Sequence, residues 1–329
     1  MLRVYLDQNK WIDLARADLG RNEAARDVLD VAKEAARLCI ASFPLSAMHY
    51  METWNARSAR RRRDLASTML KLARPGSSIG PDTIADPPQV LPMELDTALQ
   101  RWFGRPSMVR GHPVFGEGVG HALGQPALKY VIRKNLPLSD DERGYLEYHL
   151  SRAMEAAALA GPGVDLPIVG IDTETYRKPS QTYMEGEKKQ VELFQQVRAT
   201  REQRASYLAA GSVIDVLEPL NDALFRAGID PRELTSLSAQ EGLEFLKDIP
   251  TRHVSYELHC LRHENPQLPR KLGDLQDVAA LSMAVVYCDA VVTERFWARL
   301  IRRAGLDKEY GTTVLSDVRD LMPLLLAAR

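Results

Sequence analysis

The chain has 329 residues, of which 45% are hydrophobic and 26% are charged. This composition is typical of a folded globular protein with room for two structural units, and it excludes a globally disordered chain. The formal net charge of −1 gives no overall attraction to nucleic acid, so a nucleic-acid site would have to be a local basic patch.

The spacing of the cysteines and the length of the apolar runs indicate in which cellular compartment the protein is expected. Cys39, Cys260 and Cys288 are far apart and form no CxxC pair, which disfavours a zinc knuckle or a disulfide scaffold and is typical of a reducing compartment. No apolar run approaches the roughly 20 residues that span a bilayer. We therefore expect a cytoplasmic protein with no membrane partner.

The beginning of the chain predicts an alternation of strands and helices. Residues 3–6 form a short apolar strand that ends at Asp7, and apolar residues at helical spacing predict helices after it. A second strand-length run covers 40–45, and Ser46 is a suitable N-cap for one long helix over 47–73. This order of elements is typical of an α/β fold with a parallel sheet.

The middle of the chain differs in composition and in the spacing of its apolar residues, and this pattern predicts a mainly α-helical insertion over 78–250. Residues 75–92 are rich in proline and are expected to connect elements rather than to form one. Three later stretches have the apolar spacing of helices: 139–160, 181–210 and 232–248.

The α/β pattern resumes near residue 251. Helices are predicted over about 254–263, 274–287 and 295–304, strands at 290–293 and 313–315, and a terminal helix after Ser316. We therefore expect residues 1–77 and 251–329 to form one core, a parallel sheet flanked by helices. Parallel strands end at the usual ligand crevice, so Asp7 and the residues after Val292 can meet there.

Acidic residues stand at the positions that such a fold would bring toward this crevice: Asp7, Glu52, Asp274, Asp277, Asp289 and Glu294. Each has a simpler alternative role. Asp7 could cap the next helix, Asp274 and Asp277 could complement a helix dipole, and Glu52 could be solvated. Together, however, they would repel one another unless cations lay between them, and Mg²⁺ and Mn²⁺ prefer such oxygen ligands.

Three stretches carry a family resemblance: VYLDQNKWIDLA at 4–15, FPLSAMHYMETWN at 43–55 and GDLQDVAALSMAVVYCDAVVTERFWARLI at 273–301. They supply a strand-terminal Asp, a helical Glu, an Asp that opens a later helix with small residues behind it, and a strand that ends in Thr near an acid. This pattern resembles the PIN domain family. With the connecting helices, the stretches cover nearly half of the chain.

By that resemblance, the catalytic metal ligands are Asp7, Glu52 and Asp277. The candidates for a fourth position are Asp274, Asp289 and Glu294. Family members commonly place the last acid two residues after the Thr, where this chain has Arg295. The small toxin-type members also have no counterpart of the long insertion.

The resemblance implies Mg²⁺- or Mn²⁺-dependent hydrolysis of phosphodiester bonds, usually in RNA, so the expected activity is that of an endoribonuclease. A toxin-like or defence-type enzyme held by an antitoxin or another regulatory protein is one form of this activity. Self-association is left open. The alternative, favoured by the shifted last acid, is a degenerate PIN-like module that binds RNA or protein without cleaving.

A basic cluster formed by Arg57 and the arginines at 60–63 lies on the predicted long helix. On a continuous helix Arg63 returns to within about 20° of the face of Glu52. Arg60 and Arg63 are therefore the candidate nucleic-acid contacts, against the alternative of a solvated helix face.

Three further patterns are weaker. VGIDTET at 169–175 resembles the first motif of a DEDD-type exonuclease, but Leu272 stands where that family has a His. GEGVG at 116–120 lacks the features of a phosphate cradle and is expected to be a flexible loop. His49 lies one turn before Glu52 and would either line the site or pack in the core.

Overall fold

A computed structural model describes residues 1–74, 76, 78–105, 112–133, 136–161 and 173–328, without the side chains of residues 173–179, 235 and 239. In these residues the chain forms a four-stranded parallel sheet flanked by helices, which confirms the expected α/β class, and a separate antiparallel strand pair. The strands are β1 (Leu2–Leu6), β2 (Ala41–Ser42), β3 (Asp82–Ile84), β4 (Phe115–Glu117), β5 (Ala290–Val292) and β6 (Thr313–Leu315).

The α-helices surround the sheet and fill the middle of the chain. Those before the middle region are α1 (Gln8–Asp18), α2 (Arg26–Arg37), α3 (Ala47–Asn55) and α4 (Ala59–Ala73). The middle region contains α5 (Pro87–Phe103), α6 (Gly118–Ala122), α7 (Asp140–Ala160), α8 (Thr173–Gln196), α9 (Arg201–Ile214), α10 (Leu217–Ala227), α11 (Pro231–Thr235) and α12 (Ala239–Lys247). The last part contains α13 (Pro250–His263), α14 (Asp274–Tyr287), α15 (Arg295–Ala304), α16 (Leu306–Glu309) and α17 (Met322–Ala327).

The sheet joins the two ends of the described chain. Its strand order is β2-β1-β5-β6, and every neighbouring pair is parallel. Leu6 is opposite Val292, and the amide of Asp7 donates to the carbonyl of Val292 at 2.9 Å. Because parallel strands end at the same edge, Asp7 and Thr293 lie next to each other at the carboxyl edge of the sheet.

The central strands are buried, as in most parallel sheets that carry helices on both faces. Val4, Leu6 and Val291 are fully inaccessible to solvent. The hydrophobic cluster around them also includes Ile84 and Leu159 from the middle region. The middle region therefore contributes to the same core as the sheet.

The proline-rich stretch at 75–92 was wrongly expected to contain no element, because α5 begins at Pro87 and β3 lies just before it. Proline is well tolerated in the first helical turn, where its missing N–H has no intrahelical partner. Asp86 and Gln89 form a capping box at this helix start. The prolines thus mark the beginning of a helix.

The predicted long helix over 47–73 is also wrong, since it is two helices separated at residues 56–58. Ser58 caps α4 by accepting from the amide of Arg61 at 3.4 Å. Arg62 donates to the carbonyl of Ala56, the residue after α3, at 2.8 Å. The predicted helices over 181–210 and 232–248 are interrupted for the same reason, by capping boxes that begin at Thr200 and Ser238.

The glycine-rich GEGVG segment is not a flexible loop, because it forms β4 and the start of α6. Gly118 has a φ of +81°, and a Cβ on it would lie 2.5 Å from a carboxylate oxygen of Glu155. A Cβ on Gly120 would lie 2.3 Å from the carbonyl of Pro126. Close packing therefore explains these two glycines.

The VGIDTET motif is described only in part, because its first four residues, 169–172, lie outside the described residues. In the part of the chain that the structure describes, no helix combines the length and apolar character needed to cross a membrane.

Candidate active site

Asp7 lies where β1 ends and α1 begins. Its Oδ1 accepts from the amide of Gln8 at 2.7 Å, and its backbone is extended, so it is the N-cap of α1. Its Oδ2 accepts from the hydroxyl of Thr293 at 2.9 Å. Asp7 therefore has the helix-cap role considered from the sequence and also links the ends of β1 and β5.

Glu52 is held near Asp7 by the histidine one turn before it. Nδ1 of His49 accepts from the amide of Ser46 at 2.9 Å, so Nε2 carries the proton that it donates to the carbonyl of Leu6 at 2.7 Å. Burial lowers the pKa of His49 to about 4, which keeps the ring neutral. His49 thus fixes the start of α3 against the end of β1, and it also borders a small space beside Asp7 and Glu52.

Asp277 lies in the first turn of α14. Its Oδ2 accepts from Nε1 of the buried Trp297, on α15, at 3.1 Å. The carboxylate of Asp277 is therefore held in place by a residue of the neighbouring helix α15. Asp7, Glu52 and Asp277 consequently come from three separate segments and line one cleft.

The three carboxyl groups affect one another electrostatically. Burial, followed by the charges of Asp277 and Asp7, raises the pKa of Glu52 to about 8. Burial and then the charge of Asp7 raise the pKa of Asp277 to about 7. The pKa of Asp7 is also raised, mainly by burial. Crowded, desolvated carboxylates of this kind are stabilised in their charged form by a cation.

The three candidates for a fourth acid have different surroundings. Glu294 precedes α15 at the carboxyl edge of the sheet, lines the cleft, and accepts from the side-chain Nδ2 of Asn9 at 2.5 Å. Asp274 also lines the cleft, but it is ion-paired with Arg262 at 2.5 Å. Asp289 precedes β5 at the opposite edge, where it accepts from the amide of Arg3 at 2.7 Å. The structure therefore brings Glu294 and Asp274 to the site and does not bring Asp289 there.

The cleft has a volume of about 250 Å³. Besides the acids, it is lined by Arg262, Lys271, Phe296 and Trp297. The sequence reasoning missed the two basic residues. For Lys271 the available signal was the basic pair at 270–271, directly before the acidic start of α14.

The chemistry of the donor set fits a divalent metal, although the side chains are not arranged around one. Within the described ranges, no group of three or more His, Cys, Asp or Glu side chains is positioned to hold a metal ion. However, hard carboxylate oxygens are the ligands that Mg²⁺ and Mn²⁺ prefer. The carboxylate of Glu52 has no hydrogen bond or ion pair to any described residue. Asp7, Glu52 and Asp277, with Glu294, are the residues that could hold such an ion.

Arg60 and Arg63 lie on α4, outside the lining of the cleft. Arg60 has 77% of its side chain exposed and is 3.9 Å from Asp64. Nε of Arg63 donates weakly to the carbonyl of Ala59, at 3.4 Å. Because α3 and α4 are separate helices, the helical geometry that related Arg63 to Glu52 does not apply. The two arginines belong to an exposed helix face.

Comparison of the chain with models of known families, with curated proteins and with solved structures gave no match.

Proposed function

We propose that this protein is a divalent-metal-dependent nuclease with a PIN-like core, and that its substrate is RNA. One observation carries the proposal. Asp7, Glu52 and Asp277 come from distant parts of the sequence and line the same cleft, where burial and the charge of Asp7 raise the pKa of both Glu52 and Asp277. Such a cluster opposes folding electrostatically, and strain of this kind is concentrated at functional sites.

In the proposed reaction the acids hold Mg²⁺ or Mn²⁺. A metal ion bound there would neutralise charge on the phosphodiester and lower the pKa of water. Thr293 and the amide of Gln8 orient Asp7, and Trp297 orients Asp277. The carboxylate of Glu52 has no partner among the described residues, so it is available to bind the ion or to take the proton of the attacking water. Cleavage would leave a 5′-phosphate and a 3′-hydroxyl.

RNA as the substrate, and control by an antitoxin or another regulatory protein, rest on the PIN resemblance of the three sequence stretches. The second candidate function is a degenerate PIN-like module that binds RNA or protein without cleaving. The observation that favours it is Arg295 at the position of the family's last acid. Against it, Glu294 lines the cleft one residue earlier.

The test is cleavage of end-labelled single-stranded RNA and DNA by the purified chain, with Mg²⁺, with Mn²⁺ and with EDTA. The Asp277→Asn variant is compared with Asp222→Asn, which changes an exposed aspartate on α10. We expect metal-dependent RNA cleavage that is lost in Asp277→Asn and kept in Asp222→Asn. If both variants cleave RNA equally, the activity belongs to a contaminant or to another site. RNA binding without cleavage would favour the degenerate module.

A further inference from the structure

The cleft contains a basic side that the proposed hydrolysis does not use. Arg262 is only 1% exposed. Its Nη2 is 2.5 Å from Asp274, whereas its Nη1 has no hydrogen-bond partner among the described residues. Its guanidinium lies 5.4 Å from the centre of the Trp297 ring. A buried cationic donor without an acceptor is costly, so an anionic oxygen in the cleft would complete its hydrogen bonding.

Lys271 adds a second cation to this side. It is exposed and lines the cleft. Its backbone amide binds Asp274 at 2.6 Å, and its side chain has no ion pair within the described residues. Asp274 offsets only one of the two positive charges. The pair Arg262 and Lys271 therefore retains net positive charge next to the acids, as a phosphate-binding subsite requires.

Phe296 gives the same cleft an aromatic surface. It is partly exposed, lines the cleft, and its ring centre lies 5.0 Å from that of Trp297. Trp297 is buried and holds Asp277, so the ring of Phe296 is presented on a rigid support. Nucleobases stack readily on such rings once they are released from base pairing.

We propose that the cleft binds one unpaired nucleotide of a single-stranded nucleic acid, with its base on Phe296 and a phosphate on Lys271 and Arg262. The identity of the ligand as nucleic acid rests on the proposed nuclease function. In a duplex the base is stacked and paired and is not free to stack on a side chain in the cleft, so single strands bind and duplexes of the same sequence do not.

The experiment measures binding of a short fluorescent single-stranded RNA across a salt series, in an Asp277→Asn background. Lys271→Ala should weaken binding and reduce the salt slope by about 0.7, the value for one phosphate contact on a single strand. Phe296→Leu, which keeps an apolar side chain against the core, should weaken binding from several-fold to about a hundredfold without changing the slope. Arg262→Lys keeps the charge beside Asp274 but loses the unpartnered Nη1 group of the guanidinium, and should weaken binding several-fold.

Matched controls are Lys308→Ala, beyond the far end of α15, and Phe225→Leu, whose ring is 87% exposed on α10. Both should bind like the background protein. Equal affinities of Lys271→Ala and Lys308→Ala, or of Phe296→Leu and Phe225→Leu, would overturn the proposal, as would equal binding of the duplex. Unchanged binding by Arg262→Lys would limit Arg262 to neutralising Asp274 and overturn its assignment to phosphate.

The two proposals fail separately. A protein that binds single strands through these residues but never cleaves RNA would refute the nuclease and leave this subsite in place. A protein that cleaves RNA with Asp277-dependent activity, while all the binding variants retain full affinity, would refute the subsite and leave the nuclease.

Discussion

His49 donates a hydrogen bond of 2.7 Å to the carbonyl oxygen of Leu6, the last residue of β1. The bond joins the end of a central strand to the beginning of the helix that carries Glu52. It is buried, and the ring's other nitrogen is also satisfied, by the amide of Ser46. One neutral histidine thus sets the relative position of the acids at 7 and 52.

His49→Ala should lower the free energy of unfolding by about 2–4 kcal/mol. It removes the buried hydrogen bonds of the ring to Leu6 and Ser46 and leaves a cavity in a packed region. His149→Ala, at an exposed position on α7, should change it by less than about 0.5 kcal/mol. Urea unfolding of both variants checks the expectation. A loss of similar size in the two variants would contradict the role given to His49.

The fourth acid can be identified by comparing the two residues that flank β5. Glu294→Gln should reduce metal-dependent cleavage about tenfold or more, because its carboxylate lines the cleft and would support the proposed metal site. Asp289→Asn should keep the cleavage rate, because Asp289 lies at the opposite edge of the sheet beside Arg3. Initial rates over a range of Mn²⁺ concentrations decide between them. A larger loss in Asp289→Asn would contradict this assignment.

The metal-free protein should be stabilised by Glu52→Gln at high pH. In the folded protein the pKa of Glu52 is raised from 4.5 to about 8, so the folded state favours the protonated carboxyl. The stability contributed by this protonation is complete below pH 4.5 and is lost as the pH rises through about 8. Gln does not ionise, so the variant should exceed the wild type by about 1–3 kcal/mol at pH 9 and match it near pH 4.

Thermal unfolding in EDTA at the two pH values measures this difference. Saturating Mg²⁺ should stabilise the wild type more than the variant. An advantage of Glu52→Gln that is the same at both pH values would show that ionisation of Glu52 is not its cause.

The buried ion pair between Arg262 and Asp274 should be costly to break. Asp274→Ala leaves the guanidinium buried and unpaired, and should destabilise the protein by about 3–5 kcal/mol. Arg303→Ala breaks an ion pair with Glu264 in which the arginine side chain is 55% exposed, and should cost less than about 1 kcal/mol. Chemical denaturation of both variants is the measurement. A loss below 1 kcal/mol in Asp274→Ala would contradict the buried pair.

The elements nearest the end of the chain could be predicted closely from the sequence. The predicted bounds 274–287, 295–304 and 313–315 agree with α14, α15 and β6, because strong apolar periodicity and a short β-branched strand coincide with the tertiary arrangement. Proline and serine misled the prediction elsewhere. Pro87 was interpreted as a loop although it opens a helix, and Ser58 caps a helix inside what looked like one continuous helix.

Only the part of the candidate site that lies at the ends of strands could be predicted from the sequence. Asp7 and Glu294 follow strands, so parallel topology alone brings them together. The surroundings of Asp274 could not be predicted, because its partner Arg262 comes from another helix and only packing selects it. Phe296 and Lys271 were missed because an aromatic residue and a short basic pair are not distinctive until a cleft is seen.

The pairing of β1 with β5 also determines when the site can exist during synthesis. The hydroxyl of Thr293 and the carboxylate of Asp7, which hydrogen-bond to each other, are 286 residues apart in sequence. Contacts of such separation form slowly, because a long loop must close before they contribute any stability. A ribosome-bound chain therefore carries Asp7 and Glu52 without Asp277 until the intervening residues have been made. If the protein cuts RNA, it stays inactive toward the messenger that encodes it until the segment that contains Asp277 and Thr293 has been translated.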